Sequence, residues 1–188
     1  MIWLASASPR RKTLLEWAGY AVEVRPSHVD ESRPEGLEPV AHACRLARLK
    51  AAVGPSERVI VAADTVVHRG DRIFDKPTDR QQAAEHLRAL SGGLHLVTTG
   101  VAVRLGGDVR TLHATTEVRF RALSPTDISA YLATGEADDK AGAYGIQGRA
   151  AVFVAEVRGS WTNVVGLPVE ALVGPLGALG VEARHERG

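Results

Sequence analysis

Features that mark several classes of protein are scarce or missing in this chain. A single cysteine, Cys44, stands among 188 residues, so no internal disulfide can form. No apolar run approaches the roughly 20 residues of a membrane-spanning helix, and no basic and then apolar leader opens the sequence. We therefore expect a cytoplasmic protein without membrane association, in which Cys44 is a quiet thiol of the core.

An excess of one charge is missing as well, and aromatic residues are few. Lysine and arginine total 23 against 22 acidic residues, and aromatic residues make up 5% of the chain. Nucleic-acid binders rely on a positive field and often on aromatic rings that stack on bases. A nucleic-acid partner is therefore not expected, although such a surface would use Arg10, Arg11, Lys12, Arg45 and Arg48. The seven histidines lack the spacing of a zinc site.

What the chain does have is enough apolar sequence for one sizeable core. Apolar residues make up 45% of the chain and charged residues 24%. The sequence contains no repeat, low-complexity tract or linker. We expect a single domain over residues 1–188.

Strand and helix patterns alternate along the chain, which predicts a mixed α/β fold. The helix over 38–53 would bury Val40, Cys44, Ala47 and Ala51 on one stripe. The predicted strands cover 2–5, 20–25, 59–67, 96–105, 110–120 and 151–157. The predicted helices cover 10–18, 38–53, 78–90 with a capping box at Thr78 and Gln81, 124–135, and 169–179 with a break near Gly174-Pro175.

The segment Ser6-Ala7-Ser8-Pro9-Arg10-Arg11-Lys12 joins the first strand to the first helix. Cations are unfavourable in the first turn of a helix, whereas anions are attracted there. One interpretation is a site for a multiply charged anion such as a polyphosphate. The other is a solvated basic turn with Ser8 as N-cap and Pro9 at the first helical position.

Asp64 and Thr65 interrupt the long apolar run of residues 59–67. A buried carboxylate is costly unless it is paired or binds a metal. Asp64 is therefore a candidate to bind a divalent cation and to orient a water for attack on phosphorus. The alternative is that Asp64 caps a turn or accepts hydrogen bonds from neighbouring N–H groups.

Two lysines are further candidates for contact with a phosphate. Lys76 precedes a predicted helix and can reach a phosphate as a point charge. Lys50 ends a basic helical face that includes Arg45 and Arg48. For both lysines, simple solvation is the alternative.

Residues 139–148 form a glycine-rich run. Glycine permits close approach of the backbone to a ligand, and the amide of Gln147 offers a donor and an acceptor to the edge of a base. A glycine-rich bulge in a sheet is the alternative.

Five segments together resemble the Maf family, in the family's order and over nearly the whole chain. They are Ser6-Ala7-Ser8-Pro9-Arg10-Arg11, Ala63-Asp64-Thr65, Lys76-Pro77, Asp139-Lys140-Ala141-Gly142-Ala143-Tyr144-Gly145-Ile146-Gln147-Gly148 and Val164-Val165-Gly166-Leu167-Pro168. The resemblance implies a mixed, bent sheet flanked by helices with an active-site cleft, similar to the inosine triphosphate pyrophosphatases. It also implies a homodimeric nucleoside triphosphate pyrophosphatase that uses Mg²⁺ or Mn²⁺ and leaves a nucleoside monophosphate.

The resemblance also implies roles for the candidates. Asp64 would accept the proton of the attacking water, and Asp64 with Glu31 would hold the divalent cation. The substrate-binding residues would be Ser8, Arg10, Arg11, Lys50 and Lys76, with the two lysines neutralising charge on the leaving pyrophosphate.

Substrate preference within the family is expected to depend on three positions. Members that resemble this chain at Arg11, Thr65 and Gln147 prefer dTTP and UTP, whereas the branch that acts on 7-methyl-GTP carries Trp, Gln and Glu there. The alternative function is a nucleotide-binding regulator of cell division, because some members were named for an effect on septum formation.

Overall fold

A single mixed sheet organises the fold in the computed structural model, which describes residues 1–184. Its order is β2-β1-β3-β5-β6-β7, and β4 pairs with β3 off this path. β1 is parallel to both of its neighbours, and all other pairs are antiparallel. The predicted mixed α/β class is confirmed. The strands are β1 (Ile2–Leu4), β2 (Val22–Val24), β3 (Ile60–Arg69), β4 (Arg72–Phe74), β5 (Leu94–Leu105), β6 (Asp108–Phe120) and β7 (Val154–Arg158).

Six α-helices within residues 1–184 flank this sheet. None of them is both long and apolar enough to span a bilayer. The helices are α1 (Pro9–Trp17), α2 (Pro39–Ala52), α3 (Arg80–Leu90), α4 (Pro125–Leu132), α5 (Trp161–Val165) and α6 (Val169–Gly177).

The central strand β3 has an open edge in the middle of its length. β1 pairs with it only at Ile60 and Val61, and pairing with β4 begins only at Val67. On that side no strand of residues 1–184 covers positions 62–66, whereas β5 covers them on the other side. Successive side chains of a strand point to opposite faces, so Asp64 and Thr65 face opposite sides of the sheet at this one open edge.

Small residues let α2 pack closely on the sheet beside β3. Gly100 of β5 pairs with Asp64, and a Cβ at Gly100 would lie 2.5 Å from the carbonyl carbon of Ala43. Ala47 and Ala51 of α2 are fully buried. The absence of a side chain at Gly100 therefore lets the helix lie directly over the face that carries Asp64.

The buried face of α2 is rotated from the predicted one. Val40 and Cys44 are only partly buried, and the face is completed instead by His42, Ala43, Leu46 and Lys50. The interpretation of Lys50 as the end of a solvated basic face is wrong, because Lys50 is buried and pairs with the carboxylates of Asp64 and Glu31. Cys44 fits a quiet thiol, since burial raises its pKa.

The helix caps follow the sequence in one case and differ in another. Ser124 opens α4 with a capping box to Asp127, as its position before the helix predicts. The predicted box at Thr78 is wrong, because the N-cap is Asp79, whose carboxylate accepts the backbone N–H of Gln82 at 2.8 Å. An acidic side chain one residue further on satisfies the helix N-terminus better.

The elements near the C-terminus differ most from the predictions. β7 begins at Val154 because residues 149–153 form a 3₁₀ turn, so the strand predicted from residue 151 starts too early. The predicted break in the last helix is also wrong, since α6 continues through Pro175. Leu172 and Leu176 lie on either side of the proline and are fully buried, and their burial outweighs one lost helical hydrogen bond.

Candidate active site

A cleft of about 640 Å³ opens where β3 has its uncovered edge. Its walls come from the loop before α1, the loop before α2, α2 itself, and the two segments around residues 139–147 and 164–166. It is bordered by every residue that the sequence singled out for a site role: Ser8, Arg10, Arg11, Glu31, Lys50, Asp64, Thr65, Lys76 and Gln147. The basic residues Lys12, Arg45 and Arg48 do not border it.

Lys50 lies between two carboxylates inside the cleft. Its Nζ is 2.7 Å from Oδ1 of Asp64 and 2.8 Å from Oε1 of Glu31. The side chains of Lys50 and Asp64 are only 9% and 13% exposed, so this pairing explains how an apolar strand tolerates a carboxylate. The alternative that Asp64 caps a turn is wrong, because Asp64 lies in the middle of β3.

Glu31 remains an anion at neutral pH despite being half-buried. Burial acts to raise its pKa, but the hydrogen bond and charge of Lys50, with the charges of Lys76 and Arg11, outweigh burial and hold the pKa below its ordinary value. Asp64 and Glu31 therefore bring two carboxylates to one place in the cleft.

These two carboxylates suit a divalent cation that binds together with a substrate. Mg²⁺ in nucleotide enzymes is usually held by one or two carboxylates plus phosphate oxygens, and Mn²⁺ prefers the same oxygen ligands. Within residues 1–184 no group of three or more His, Cys, Asp or Glu side chains is placed to hold a metal by itself. The donor set of Asp64 and Glu31 thus fits Mg²⁺ or Mn²⁺ when an anionic ligand completes the shell.

Arg11 joins three segments of the chain across the cleft. Its Nε donates to the carbonyl of Gly166 at 2.9 Å, Nη1 to Oγ of Ser6 at 2.9 Å, and Nη2 to Oγ1 of Thr65 at 3.1 Å. Gly166 has a φ of +131°, which only glycine adopts readily. Three of the five guanidinium N–H groups are thus used within the protein, which leaves two to meet a ligand.

A buried chain of polar groups holds Thr65 from behind. Oγ1 of Thr65 lies 2.9 Å from Oγ1 of Thr99, which donates to the carbonyl of Asn163 at 3.1 Å. The Asn163 side chain is fully buried and bonds to the backbone N–H of Thr99, the carbonyl of Val97 and the hydroxyl of Thr116. Sequence analysis missed Thr99 and Asn163, since neither lies in a recognisable motif.

Arg10 is held on the opposite side of the cleft by the glycine-rich run. Its Nη1 donates to Oδ2 of Asp139 at 3.0 Å. Lys140 bonds to the other oxygen of Asp139 and to the carbonyl of Glu136. An exposed ion pair contributes little stability, so an anion entering the cleft can displace Asp139 from Arg10 at little cost.

Gln147 is exposed at the cleft, and Gly145, two residues earlier, leaves room for its side chain. A Cβ at Gly145 would lie 2.8 Å from Cε of Lys140 and 3.1 Å from Nε2 of Gln147. Gly142, earlier in the run, has a φ of +70°, and a Cβ there would lie 2.9 Å from a methyl group of Val67 on β3. Close approach to β3 and to neighbouring side chains, and not a bulge in a sheet strand, thus explains these glycines.

A buried tyrosine anchors the same run in the core. The hydroxyl of Tyr144 lies 2.8 Å from Nε2 of His95, and both rings pack edge-on against Phe120. Burial raises the pKa of Tyr144 above its ordinary value and lowers that of His95 to about 3. Both side chains are therefore neutral and fix the loop instead of titrating.

Ser8 and Lys76 border the cleft, and within residues 1–184 the side chain of neither makes a hydrogen bond or an ion pair. Ser8 occupies the N-cap position of α1, with Pro9 next to it, yet its side chain makes no capping bond. Lys76 is exposed, and its charge contributes to lowering the pKa of Glu31. Both side chains are placed to meet a ligand in the cleft.

Sequence analysis did not single out His28 and His42, although both border the cleft. His28 is exposed in the loop before α2, whereas His42 is buried on α2. A signal for His42 was available, because it lies eight residues before Lys50 and hence on the same side of a helix.

The cleft combines opposite charges in a way that suits a phosphorylated ligand. It is bordered by five cationic side chains and four carboxylates, and two of those carboxylates point at Lys50. The open edge of β3 makes both faces of the strand accessible from one cleft. One ligand can thus contact Asp64 on one face and the group of Thr65 and Arg11 on the other.

Comparison with known proteins agrees with this geometry. Residues 1–179 match the family described as Maf-like protein. A dTTP/UTP pyrophosphatase of Chromobacterium violaceum is 46% identical over 96% of both chains. Another of Moorella thermoacetica is 46% identical over 95% of both chains, and one of Anaeromyxobacter dehalogenans is 49% identical over 88% of this chain and 87% of its own. From this similarity over almost its whole length, the chain belongs to the Maf family.

Proposed function

We propose that this protein is a nucleoside triphosphate pyrophosphatase that converts dTTP and UTP to the monophosphate and pyrophosphate. The relatives named dTTP/UTP pyrophosphatase support the substrate class. The observation that carries the chemistry is the convergence of Asp64 and Glu31 on Lys50, in a cleft that also holds Arg10 and Arg11. No feature of residues 1–184 favours the alternative of a cell-division regulator.

Phosphate binding is assigned to Arg10, Arg11 and Ser8, which lie at the N-terminus of α1. Arg10 exchanges the carboxylate of Asp139 for a phosphate oxygen, and Arg11 offers its two remaining N–H groups. Ser8 lies at the N-terminus of the same helix, where backbone N–H groups and the helix dipole favour anions. Lys76, which is exposed, adds a positive charge near the leaving pyrophosphate.

Asp64 and Glu31 are assigned as the ligands of Mg²⁺ or Mn²⁺. When bound, the cation neutralises phosphate charge and makes the phosphorus more electrophilic. Asp64 holds the attacking water and accepts its proton, while Lys50 keeps that carboxylate in place. We assign the attack to the α-phosphorus, with pyrophosphate as the departing group. Positioning and charge stabilisation carry such a reaction without a covalent intermediate.

Thr65, Gln147 and Arg11 are assigned to the recognition of the pyrimidine. Thr65 and Gln147 carry no charge, so they contribute little to holding phosphates. Their polar groups select a base because a mismatched partner leaves them unpaired, which is costly in a partly desolvated site.

The proposal also covers the domain organisation, the cellular location and the oligomeric state of the protein. We assign it a single domain over the whole chain, a cytoplasmic location and a homodimeric state, which the family resemblance supports. Light scattering coupled to gel filtration measures the dimer, for which the expected mass is twice the 20.0 kDa of one chain.

A panel of nucleoside triphosphates, with separate detection of pyrophosphate and orthophosphate, tests the function. We expect metal-dependent release of pyrophosphate from dTTP and UTP, and a loss of roughly 100-fold or more in the variant Asp64→Asn. Asp138→Asn removes an exposed carboxylate outside the cleft and serves as the matched control. Release of orthophosphate with a diphosphate product contradicts the proposal, as does an Asp64→Asn variant that retains more than about a tenth of the activity.

A further inference from the structure

His42, near the start of α2, is a buried histidine that borders the cleft. It is 5% exposed and shares the cleft with Lys50 and Asp64. Its Nδ1 atom is fully buried and has no hydrogen-bond partner within residues 1–184. An unpaired buried polar atom is costly, so the position of this ring calls for an explanation.

Two other histidines share the unpaired nitrogen but not the location. His86 and His95 also bury an Nδ1 without a partner, and neither borders the cleft. Each of them packs edge-on against a core aromatic ring, Phe74 and Phe120 respectively. Of these three rings, only that of His42 borders the cleft.

Because Nδ1 of His42 is buried, only Nε2 can contact a ligand in the cleft. Burial lowers the pKa of His42, opposed by the charges of Asp64 and Asp75 and reinforced by those of Arg33 and Arg45, so the ring is neutral at neutral pH. A buried N–H without an acceptor is rarer than an acceptor without a donor, which assigns the proton to Nε2. The ring then presents an Nε2–H donor to the cleft.

The place of His42 along α2 indicates which part of a ligand it meets. His42, Leu46 and Lys50 are spaced by four residues and form one stripe, in which the two ends are about 12 Å apart along the helix axis. The helix covers the face of β3 that carries Asp64, whereas Thr65 points to the other face. His42 therefore lies on the same side of the cleft as Asp64 and Lys50, whereas Thr65 lies on the other face of β3.

We propose that Nε2 of His42 donates a hydrogen bond to the terminal phosphates of the bound triphosphate, the part that departs as pyrophosphate. The proposal rests on the proposed function, because it needs a triphosphate in this cleft. The charges of Asp64 and Asp75 both act on His42, and Asp75 is the neighbour of Lys76. Lys76 and Lys50, the two lysines expected to neutralise the leaving pyrophosphate, both act on Glu31 on this side of the cleft. An N–H donor at this point orients the terminal phosphates.

Binding of the two products by separate titrations tests this inference. Pyrophosphate and thymidine monophosphate are each titrated calorimetrically into the wild-type protein with Mg²⁺ and into His42→Met and His42→Gln. We expect His42→Met to weaken pyrophosphate binding about tenfold, since a hydrogen bond to a charged group is lost, and to leave monophosphate binding within about twofold. His42→Gln, whose amide places a donor close to the position of Nε2, should bind pyrophosphate within about threefold of wild type.

The control is His86→Met, which also replaces a buried histidine with an unpaired Nδ1 but lies outside the cleft. A purely structural role for His42 would weaken both products equally, and that result overturns the proposal. Unchanged pyrophosphate binding in His42→Met overturns it too. If His42→Met does not fold, His42→Asn replaces it, and equal pyrophosphate affinities of the Asn and Gln variants overturn the proposal. Failure of the proposed function is seen separately, as a wild-type protein that releases no pyrophosphate.

Discussion

The ammonium group of Lys50 lies 2.7 Å from the carboxylate of Asp64, and both side chains are largely buried. Glu31 reaches the same ammonium at 2.8 Å. In the absence of a ligand, Lys50 therefore partly neutralises the two carboxylates that we assign to the divalent cation. When no phosphate is bound, a cation and Lys50 therefore compete for the same oxygens.

The variant Lys50→Met is expected to bind Mn²⁺ more tightly than the wild type when no nucleotide is present. Two carboxylates without a counter-ion attract the cation, and the change should be about tenfold or more, since a charge-assisted hydrogen bond contributes about 1.5–3 kcal/mol. Turnover should fall, because Asp64 loses the group that positions it. Calorimetric titration with Mn²⁺ measures the affinity, and Lys12→Met, at an exposed lysine outside the cleft, is the control. Equal affinities of Lys50→Met and the wild type would contradict the competition.

The variant Gly100→Ala is expected to lower the free energy of unfolding by on the order of 1–3 kcal/mol, the usual cost of overpacking. Its new methyl group would meet the backbone of α2 at 2.5 Å, so the helix must shift away from Asp64 and take Lys50 with it. Activity should fall as well. Urea denaturation measures the stability, with Gly107→Ala as control, because a Cβ at Gly107 meets no atom within 4 Å. The close packing of α2 is refuted if both variants are equally stable.

The central strands and the location of the site could be predicted from the sequence, but the contacts within the site could not. The apolar run around Asp64 predicts a buried strand because its residues suit only that environment. The partner of Asp64 depends instead on how closely α2 approaches the sheet. That distance is determined by Gly100, a residue distant in sequence from both Lys50 and Asp64, so no local pattern contains it.

For the same reason, no sequence pattern predicted that Thr99 and Asn163 would support Thr65. Asn163 lies in the unpredicted five-residue helix α5, and its bonds reach across β5 and β6. Polar residues of this kind are typical of surface loops when they are considered singly. Only the folded arrangement shows Asn163 fully buried and holding Thr99, which in turn holds Thr65.

Stability is expected to fall on acidification between about pH 6.5 and pH 3, partly because of His95. Burial lowers the pKa of His95 from 6.5 in the unfolded chain to about 3 in the folded protein. The unfolded state therefore binds more protons over this interval, and stability decreases as the pH falls, by at most about 1.4 kcal/mol per pH unit for this one group. Urea denaturation at several pH values measures the slope. His95→Gln should flatten it and His113→Gln, at an exposed histidine, should not; identical slopes in all three proteins would argue against a neutral buried His95.

Replacing Arg11, Thr65 and Gln147 by Trp, Gln and Glu is expected to lower turnover of dTTP and UTP and to raise relative activity on 7-methyl-GTP. An aromatic ring at position 11 can stack on a cationic purine, and an acid at position 147 can accept from the N–H groups of guanine. Competition between the two nucleotides gives the ratio of their kcat/KM values, which does not depend on how much of the variant is folded. A ratio within about threefold of wild type would remove these positions from the control of specificity.

The single change Gln147→Glu tests recognition of the base without disturbing the hydrogen bonds that hold the cleft together. Gln147 is exposed, and this change leaves intact the bonds that Arg11 makes to Ser6, Thr65 and Gly166. The ratio of the kcat/KM values for 7-methyl-GTP and dTTP should change in the same direction as in the triple variant, but by a smaller factor.

The most direct test of the central claim is hydrolysis of dTTP in ¹⁸O-labelled water, followed by mass spectrometry of both products. Water held by Asp64 attacks the α-phosphorus, so the account predicts one labelled oxygen in the thymidine monophosphate and none in the pyrophosphate. Label in the pyrophosphate would place the attack on the β-phosphorus and contradict the account. A thymidine diphosphate product with labelled orthophosphate would contradict it equally.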